Sequence, residues 1–572
     1  MLGPKRNGGN LLAELLHEYG FEYVFGVPSE APEFVAPLWH QGKPRYIVLR
    51  DERAAPFAAN VYTRLTGRLA AVEAAPSVGS LLMLPGLAES LNSCVPMLAL
   101  FTDVSQMSGP RRERGIWNQS TNQVTIFKDV VKYCAVVPKV EKIPEFLAYA
   151  LQVATSGRPG PVALIVPNDV LAADATDVPL GRIRPELATF PAARNGADSR
   201  AVEDAARTIS QSTRPVLLAG GGAVLSNAGA EIVKFAESTG IPVATTLTGS
   251  GVIDEYHRLA LGTAGFYGVD LASQALDHAD TIVMVGAKGS GYSTWLWRYP
   301  RPEQKVIRLD LEAVDANNIS YESQTLLGDA KTSLESLTEA IDRIRERPDL
   351  GVWASEVSVM RASWETKRKH LLATDDDSDR VASAKDIVRE LDQRTGPGDV
   401  LIAEASAATG WSSLIRTKPG AQRIAFRGLG ILGGTIGGSI GACLAQQPPR
   451  RVIQIAGDGA MGYQIGECVT LTRLGYKVIS IVLNNSALGA VRIWPGMPQE
   501  SAEIGTIDFA AAARACGWEG IRVDRVSELT SALDAAFNCT KSVLVDIAVD
   551  PDEWVELAFN NGRLVPAYDA GP

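Results

Sequence analysis

The chain reads as an α/β protein built from consecutive doubly wound parallel-sheet domains. Three observations predict that class. Short apolar runs of strand length alternate with amphipathic helical stretches, 53 glycines supply tight strand-to-helix turns, and 572 residues exceed what one ordinary core holds. No apolar run approaches the length that spans a bilayer, and the opening MLGPKRNGGN carries no signal-type cleavage region, so a cytoplasmic protein is expected. A net charge of -10 at pH 7 gives no electrostatic reason to expect nucleic acid or an anionic membrane as partner. Cys94, Cys134, Cys443, Cys468, Cys516 and Cys539 are scattered without CxxC spacing, as reduced core thiols are, which argues against a zinc site or a disulfide framework.

In the first unit, 1–175, helical patterns at 11–19 and 54–66 alternate with strands expected at 23–27, 46–49, 69–74, 97–101 and 161–166. A polar, proline-containing stretch, 174–200, reads as a linker. The second unit, 195–345, has strands near 215–219, 243–246, 281–285 and 305–309. Residues 342–370 are helical and charged, and Asp375-Asp376-Asp377 marks a hinge. The third unit, 381–550, has strands near 400–403, 451–456, 478–483 and 542–547, and 551–572 is a tail without strong periodicity.

The third unit carries the most specific pattern. Gly457-Asp458-Gly459 closes one apolar run, and a second ends in Asn484-Asn485. The 24 residues between Gly459 and Asn484 fit one crossover helix between adjacent parallel strands, so both polar tips would emerge at the same sheet edge. Asp458 and Asn485 then offer a carboxylate and an amide oxygen to a hard cation such as Mg2+, with the backbone carbonyl of Ala487 as third ligand. Room is left for phosphate oxygens and water. An ordinary strand-to-helix turn followed by an ordinary loop is the bland alternative.

This GDG-then-NN pattern resembles the thiamin diphosphate (ThDP) motif. The order of the units is similar to the pyrimidine-binding (PYR), central and diphosphate-binding (PP) domains of the acetolactate synthase-like ThDP enzymes, the superfamily of acetohydroxyacid synthase catalytic subunits and benzaldehyde lyase. The resemblance covers nearly the whole chain. It implies that Gly457, Asp458, Gly459, Ala460, Met461, Asn485, Ala487, Leu488, Gly489 and Ala490 hold the cofactor, with Asp458, Asn485 and Ala487 on the metal. Gly428-Leu429-Gly430-Ile431-Leu432-Gly433 is similar to the family's G-L-G-x-M-G. There Gly430 would let backbone approach the pyrimidine and Leu432 would be the apolar wedge under the bent cofactor. Arg50-Asp51-Glu52-Arg53-Ala54-Ala55 is similar to the family's R-H-E-Q-A-A. Glu52 would then be the carboxyl that hydrogen-bonds the aminopyrimidine ring nitrogen and favours its imino tautomer; a solvated carboxylate in a helix's first turn is the alternative. In this family the two domains meet across subunits, which implies a homodimer or homotetramer.

Leu488-Gly489-Ala490-Val491-Arg492-Ile493-Trp494 is similar to the family's Q-G-M-V-x-Q-W and would bring Val491 and Trp494 towards the substrate, although Trp494 serves equally well as core filler. Val27, Asp103 (in place of a glutamine) and Gln119 complete the substrate-facing expectation. Ser77-Val78-Gly79-Ser80-Leu81-Leu82 stands where the family has G-P-G-A-T-N, and Ala407-Ala408-Thr409-Gly410-Trp411 where it has Q-H-Q-M-W. These departures point to a different or bulkier small-molecule carbonyl substrate. His17, His40, His257, His278 and His370 lie outside every motif, so protonation falls to the cofactor amine, water or carboxyl groups. Gly220-Gly221-Gly222, Thr246-Leu247-Thr248 and the glycines at 262–268 resemble flavin-site turns, which makes FAD an option in the central unit.

The implied activity is that of a ThDP- and Mg2+-dependent carbon–carbon lyase or ligase acting on a 2-oxo acid or 1,2-dicarbonyl compound. The rivals are a 2-hydroxyacyl-CoA lyase or oxalyl-CoA decarboxylase, a cyclic 1,2-dione hydrolase and, from another class, a non-catalytic binding protein of the same fold. The joint presence of Glu52, Asp458 and Asn485 favours an enzyme.

Overall fold

The apolar runs become strands in three six-stranded parallel sheets. These are seen in a computed structural model that describes residues 6–313, 323–344, 349–374, 377–445, 450–492 and 496–551. The first sheet holds β1 (Tyr23–Gly26), β2 (Arg45–Val48), β3 (Ala71–Ala74), β4 (Leu98–Asp103), β5 (Tyr133–Val136) and β6 (Val162–Pro167), in the order β2-β1-β3-β4-β6-β5. The second holds β7 (Pro215–Ala219), β8 (Val243–Thr245), β9 (Ala260–Thr263), β10 (Thr281–Val285), β11 (Lys305–Asp310) and β12 (Ser323–Leu327), ordered β12-β11-β10-β7-β8-β9. The third holds β13 (Val400–Ala403), β14 (Gln422–Ala425), β15 (Val452–Gly457), β16 (Val478–Asn484), β17 (Glu519–Val523) and β18 (Val543–Ala548), ordered β14-β13-β15-β16-β18-β17. Helices flank each sheet, so interior strands such as β4, β6, β7 and β10 are buried at every residue and read as continuous apolar runs. Strands β5, β9, β12, β14 and β17 are additions to the sequence reading.

The described residues form two compact units. The first draws on Met1–Ala193, Phe426–Pro449 and Gln464–Tyr476, and the second on Arg194–Ala425, Arg450–Tyr463 and Lys477–Pro572. Within the first, the helix Ala54–Thr66 packs along the helix Thr435–Leu444. Glycine permits that approach. A Cβ at Gly441 would lie 2.0 Å from the Ala58 carbonyl oxygen, and one at Gly437 would lie 2.8 Å from that of Ala54. Phe426, against which Gly434 and Gly438 pack, meets Phe57 edge-on with centroids 5.0 Å apart. Within the second unit, Trp353 and Trp364 of the helix Gly351–Leu371 enter one apolar core together with Ile282 and Met284 of β10 and Ile453 and Ile455 of β15. The Trp353 indole N–H donates to the Pro215 carbonyl at 3.1 Å, which answers the one polar atom of that ring.

Among the described residues no helix is long and apolar enough to cross a membrane. All six cysteines are free. Asp375 and Asp376 of the expected hinge, Trp494, and the tail beyond residue 551 lie outside the described residues.

Candidate functional site

The two polar strand tips come together as the spacing demands. β15 and β16 are paired in parallel, with Gly457 opposite Leu483, so Asp458 and the loop after Asn484 leave the same edge of the third sheet. Asp458 opens the helix Asp458–Gln464, whose Ala460 and Met461 are buried. Asp458 as a whole is only 5% exposed. Burial pushes its pKa up to about 6, opposed by the backbone N–H groups of Gly459, Ser486 and Ala487. The Oδ2 atom is buried with no hydrogen-bond partner among the described residues.

The two asparagines separate in role. Asn484 turns inward and donates its amide to the Ile507 carbonyl at 3.0 Å and to Asp546 Oδ1 at 2.9 Å. Asn485 faces the loop, where its Oδ1 accepts from the Ala487 N–H at 3.1 Å. An antiparallel bridge between Ala487 and Glu503 anchors this loop through Leu488 N–H to Ala502 O, 2.8 Å, and Ile504 N–H to Ser486 O, 3.2 Å. A Cβ at Gly459 would stand 3.0 Å from Leu488 Cδ2, so glycine lets the turn and the loop close on each other. One buried carboxylate oxygen without a protein partner, beside amide and carbonyl oxygens, is a donor set that fits a hard cation carrying phosphate and water. Among the described residues no cluster of three or more His, Cys, Asp or Glu side chains is placed to hold a metal. Gly489, Ala490 and Val491 form a short helix, Gly489–Arg492, in which Val491 is half-buried.

Glu52 is half-buried in the turn between β2 and the helix Ala54–Thr66. Its neighbours Asp51 and Arg53 pair with each other, Arg53 Nε lying 2.9 Å from Asp51 Oδ2. A Cβ at Gly79 would come within 3.1 Å of Glu52 Oε1, so the glycine retained in the altered G-P-G-A-T-N segment is the one that admits this carboxylate. Gly430 adopts φ +82°, and Leu432 is half-buried. Val27, directly after β1, is half-buried too.

Three features were not anticipated from the sequence. Glu73, in the middle of β3, is fully buried and accepts the Tyr46 hydroxyl at 2.5 Å. Burial pushes it up to about 7; Ser29 and Tyr46 pull it back, and the charge of Glu52 adds to the rise. Its one sequence signal is a lone acid inside an apolar strand run. Secondly, Asp103 is buried at the end of β4, where its Oδ1 accepts from the Val104 N–H at 2.8 Å. The buried glutamine nearby is Gln123: it accepts from the Ser80 hydroxyl at 2.7 Å and donates to the Thr102 carbonyl at 3.1 Å. Gln119 stays half-buried in a left-handed turn residue, φ +54°. Thirdly, the turns holding Glu52 and Gly430 are each gripped by a distant carboxylate, Glu467 and Glu89 respectively.

In the central sheet, the glycines that resemble flavin-site turns are consumed by packing. A Cβ at Gly220 would meet the Gly286 carbonyl oxygen at 2.3 Å, and one at Gly222 would meet Gly286 Cα at 2.9 Å.

Three protein-family models match the chain: thiamine pyrophosphate enzyme, N-terminal TPP binding domain, over 6–124; the central domain of the same enzymes over 202–337; and their C-terminal TPP binding domain over 405–547. A probable acetolactate synthase large subunit of Methanocaldococcus jannaschii is 27% identical across 97% of this chain and 94% of its own length. The acetolactate synthase large subunit of Corynebacterium glutamicum is 27% identical across 96% of the chain and 88% of its own length. The chloroplastic acetolactate synthase of Arabidopsis thaliana is 28% identical across 96% and 82%.

Proposed function

The chain belongs to the thiamine pyrophosphate enzyme family and is a ThDP-dependent enzyme, and from that premise we propose that it makes or breaks a carbon–carbon bond beside the carbonyl of a 2-oxo acid or 1,2-dicarbonyl compound, with Mg2+ as co-ligand. The observation that carries the metal half of this reading is the buried, unpartnered Oδ2 of Asp458 next to the loop of Asn485 and Ala487. These three residues would hold the cation and, through it, a diphosphate. ThDP, when bound, supplies a nucleophilic carbon that adds to a carbonyl and accepts the electrons of the bond that breaks.

The chain's own groups orient and protonate. Glu52 would hydrogen-bond the aminopyrimidine ring nitrogen, Gly430 would give backbone access to that ring, and Leu432 would support the bend. Val27, Gln119 and Val491 would face the substrate, with Gln123 bracing the segment behind Gln119. Asp103, occupied by the Val104 N–H, is a poorer candidate than its position in the sequence suggests. The altered 77–82 segment favours a bulkier carbonyl compound than acetolactate synthases take. Glu52 and Asp458 fall in different units, and we include in the reading a homodimer or homotetramer in which two copies complete each site.

Calorimetry with ThDP and Mg2+, followed by a screen of 2-oxo acids and diketones for CO2 release and ketol formation, tests the proposal. Glu52→Gln should keep cofactor binding and lose turnover; full turnover in that variant would end the assignment of Glu52. Flavin is separable from this reading, and an absorption spectrum of the purified protein between the near-UV and the blue decides it.

A further inference from the structure

We propose that Glu467 and Glu89 are positioning residues of the cofactor site, each a buried carboxylate from one half of the sequence that fixes a cofactor-binding turn from the other half. The inference rests on the roles given above to Glu52 and Gly430.

Glu467 ends the short 3-10 turn Ile465–Glu467, far along the sequence from Glu52, and is 1% exposed. Its Oε1 accepts the backbone N–H groups of Arg50 and Asp51, at 2.8 and 2.9 Å, and its Oε2 accepts the Thr470 hydroxyl at 2.6 Å. Glu52 is the next residue after Asp51. Glu89 mirrors this arrangement. It lies on the helix Leu84–Asn92, is fully buried, and takes four donors: Gly428 N–H at 2.8 Å and the Ser93 hydroxyl at 2.7 Å on Oε1, Leu429 N–H at 2.7 Å and Gly430 N–H at 3.3 Å on Oε2. The approach needs glycine, because a Cβ at Gly428 would stand 2.4 Å from Ser93 Oγ.

A buried carboxylate is costly unless several donors meet it, and charge-assisted bonds to backbone N–H groups are the strong and directional ones. A residue needed only to fill space would be apolar here. In the turns themselves both carboxylates grip backbone N–H groups and no side chain, so they set turn geometry whatever the turn's side chains are. The turns they set are the two from which the proposed site draws its activating acid and its pyrimidine cradle. Both carboxylates are buried and their oxygens are taken up by these protein donors, so the role proposed for them is positioning.

The chemistry predicts an asymmetry between them. In Glu467→Gln the remaining carbonyl oxygen still accepts from Arg50 and Asp51, while the new amide faces a Thr470 hydroxyl that can turn to accept. In Glu89→Gln one of the two oxygens becomes a donor, set against either Gly428 N–H or the pair Leu429 and Gly430, so no orientation satisfies all three amides. Hydrogen exchange of the cofactor-free protein, read at residues 50–51 and 428–430, measures this without any catalysis. We expect Glu467→Ala to speed exchange at Arg50 and Asp51 by roughly tenfold and to lower kcat more than ThDP affinity, with Glu467→Gln restoring both. Glu89→Ala and Glu89→Gln should alike speed exchange at 428–430 and weaken ThDP binding by roughly tenfold. Thr470→Val is the mild companion should Glu467→Ala fail to fold, and it should speed exchange at 50–51 in the same direction. Folded variants with unchanged exchange at these amides, or faster exchange with unchanged kcat and ThDP affinity, would overturn the proposal. If instead Glu52→Gln keeps full turnover, the assignment of Glu52 falls, and the exchange data on the cofactor-free protein still report whether the carboxylates hold the turns.

Discussion

The diphosphate end and the pyrimidine end of the proposed site are built on different principles. At the first, Asp458, Asn485 and Ala487 sit at the tips of two neighbouring strands joined by one crossover, and the loop is braced by residues 502–507, up to 23 positions further on. At the second, Glu52 and Gly430 sit in turns held by carboxylates hundreds of residues away, 416 positions in the case of Asp51 and Glu467. The first end can form wherever β15 and β16 pair. The second exists only once remote parts of the chain have docked, so it should be the more easily loosened and the more readily tuned.

The largest expected effect is at the diphosphate end. Asp458→Ala removes the carboxylate whose buried Oδ2 has no hydrogen-bond partner among the described residues, and should lower Mg2+-dependent ThDP affinity by at least ~100-fold by calorimetry. Next comes Glu52→Gln, which should cut turnover by ~100-fold or more with cofactor affinity near that of the parent. The adjacent asparagines then sharpen the contrast within one end. Asn485→Ala should weaken metal-dependent binding by ~10-fold or more. Asn484→Ala should instead cost about 1–3 kcal/mol of stability in a urea titration, because it strips Asp546 and the Ile507 carbonyl of a donor, while the folded fraction still binds cofactor.

A subtler effect belongs to Glu73. Its pKa rises from an ordinary 4.5 to about 7 in the folded chain because its carboxyl is buried. A raised value means the folded state holds the proton more tightly, so this contribution is fully present below 4.5 and is lost as pH rises through 7. Urea titrations of the parent and Glu73→Gln across that window should show the parent losing about 3 kcal/mol relative to the variant. A constant difference would mean that Glu73 titrates as an ordinary exposed acid.

How much was legible from the sequence varies with position in each sheet. Every interior strand appears as an apolar run at nearly its observed place, whereas five of the six edge strands, β5, β9, β12, β14 and β17, do not. Edge strands face solvent on one side and need no continuous apolar run. All four residues of β5 are half-buried, and β17 begins with an exposed glutamate. β14 carries Arg423, buried against Glu255 at 3.3 Å, a pairing that no local pattern announces. β9 is interrupted by Gly262 in a left-handed conformation, beside a register shift. The site divides similarly. Asp458, Asn485 and the glycine turn at 428–433 stand out as motifs, whereas Glu73, Glu89 and Glu467 look like ordinary acids until their burial is known.

From the amino-acid order alone came the parallel-sheet class, the inner strands and the polar tips of β15 and β16, since burial on both faces writes itself as uninterrupted apolar residues and one crossover constrains two tips to one edge. Docking decided the rest: which asparagine turns inward, which acid in a strand is sealed beside Tyr46, and which carboxylates hold the turns of Glu52 and Gly430. Those outcomes depend on donors and apolar surface brought together from distant segments, and a residue's own neighbours in sequence carry no record of them.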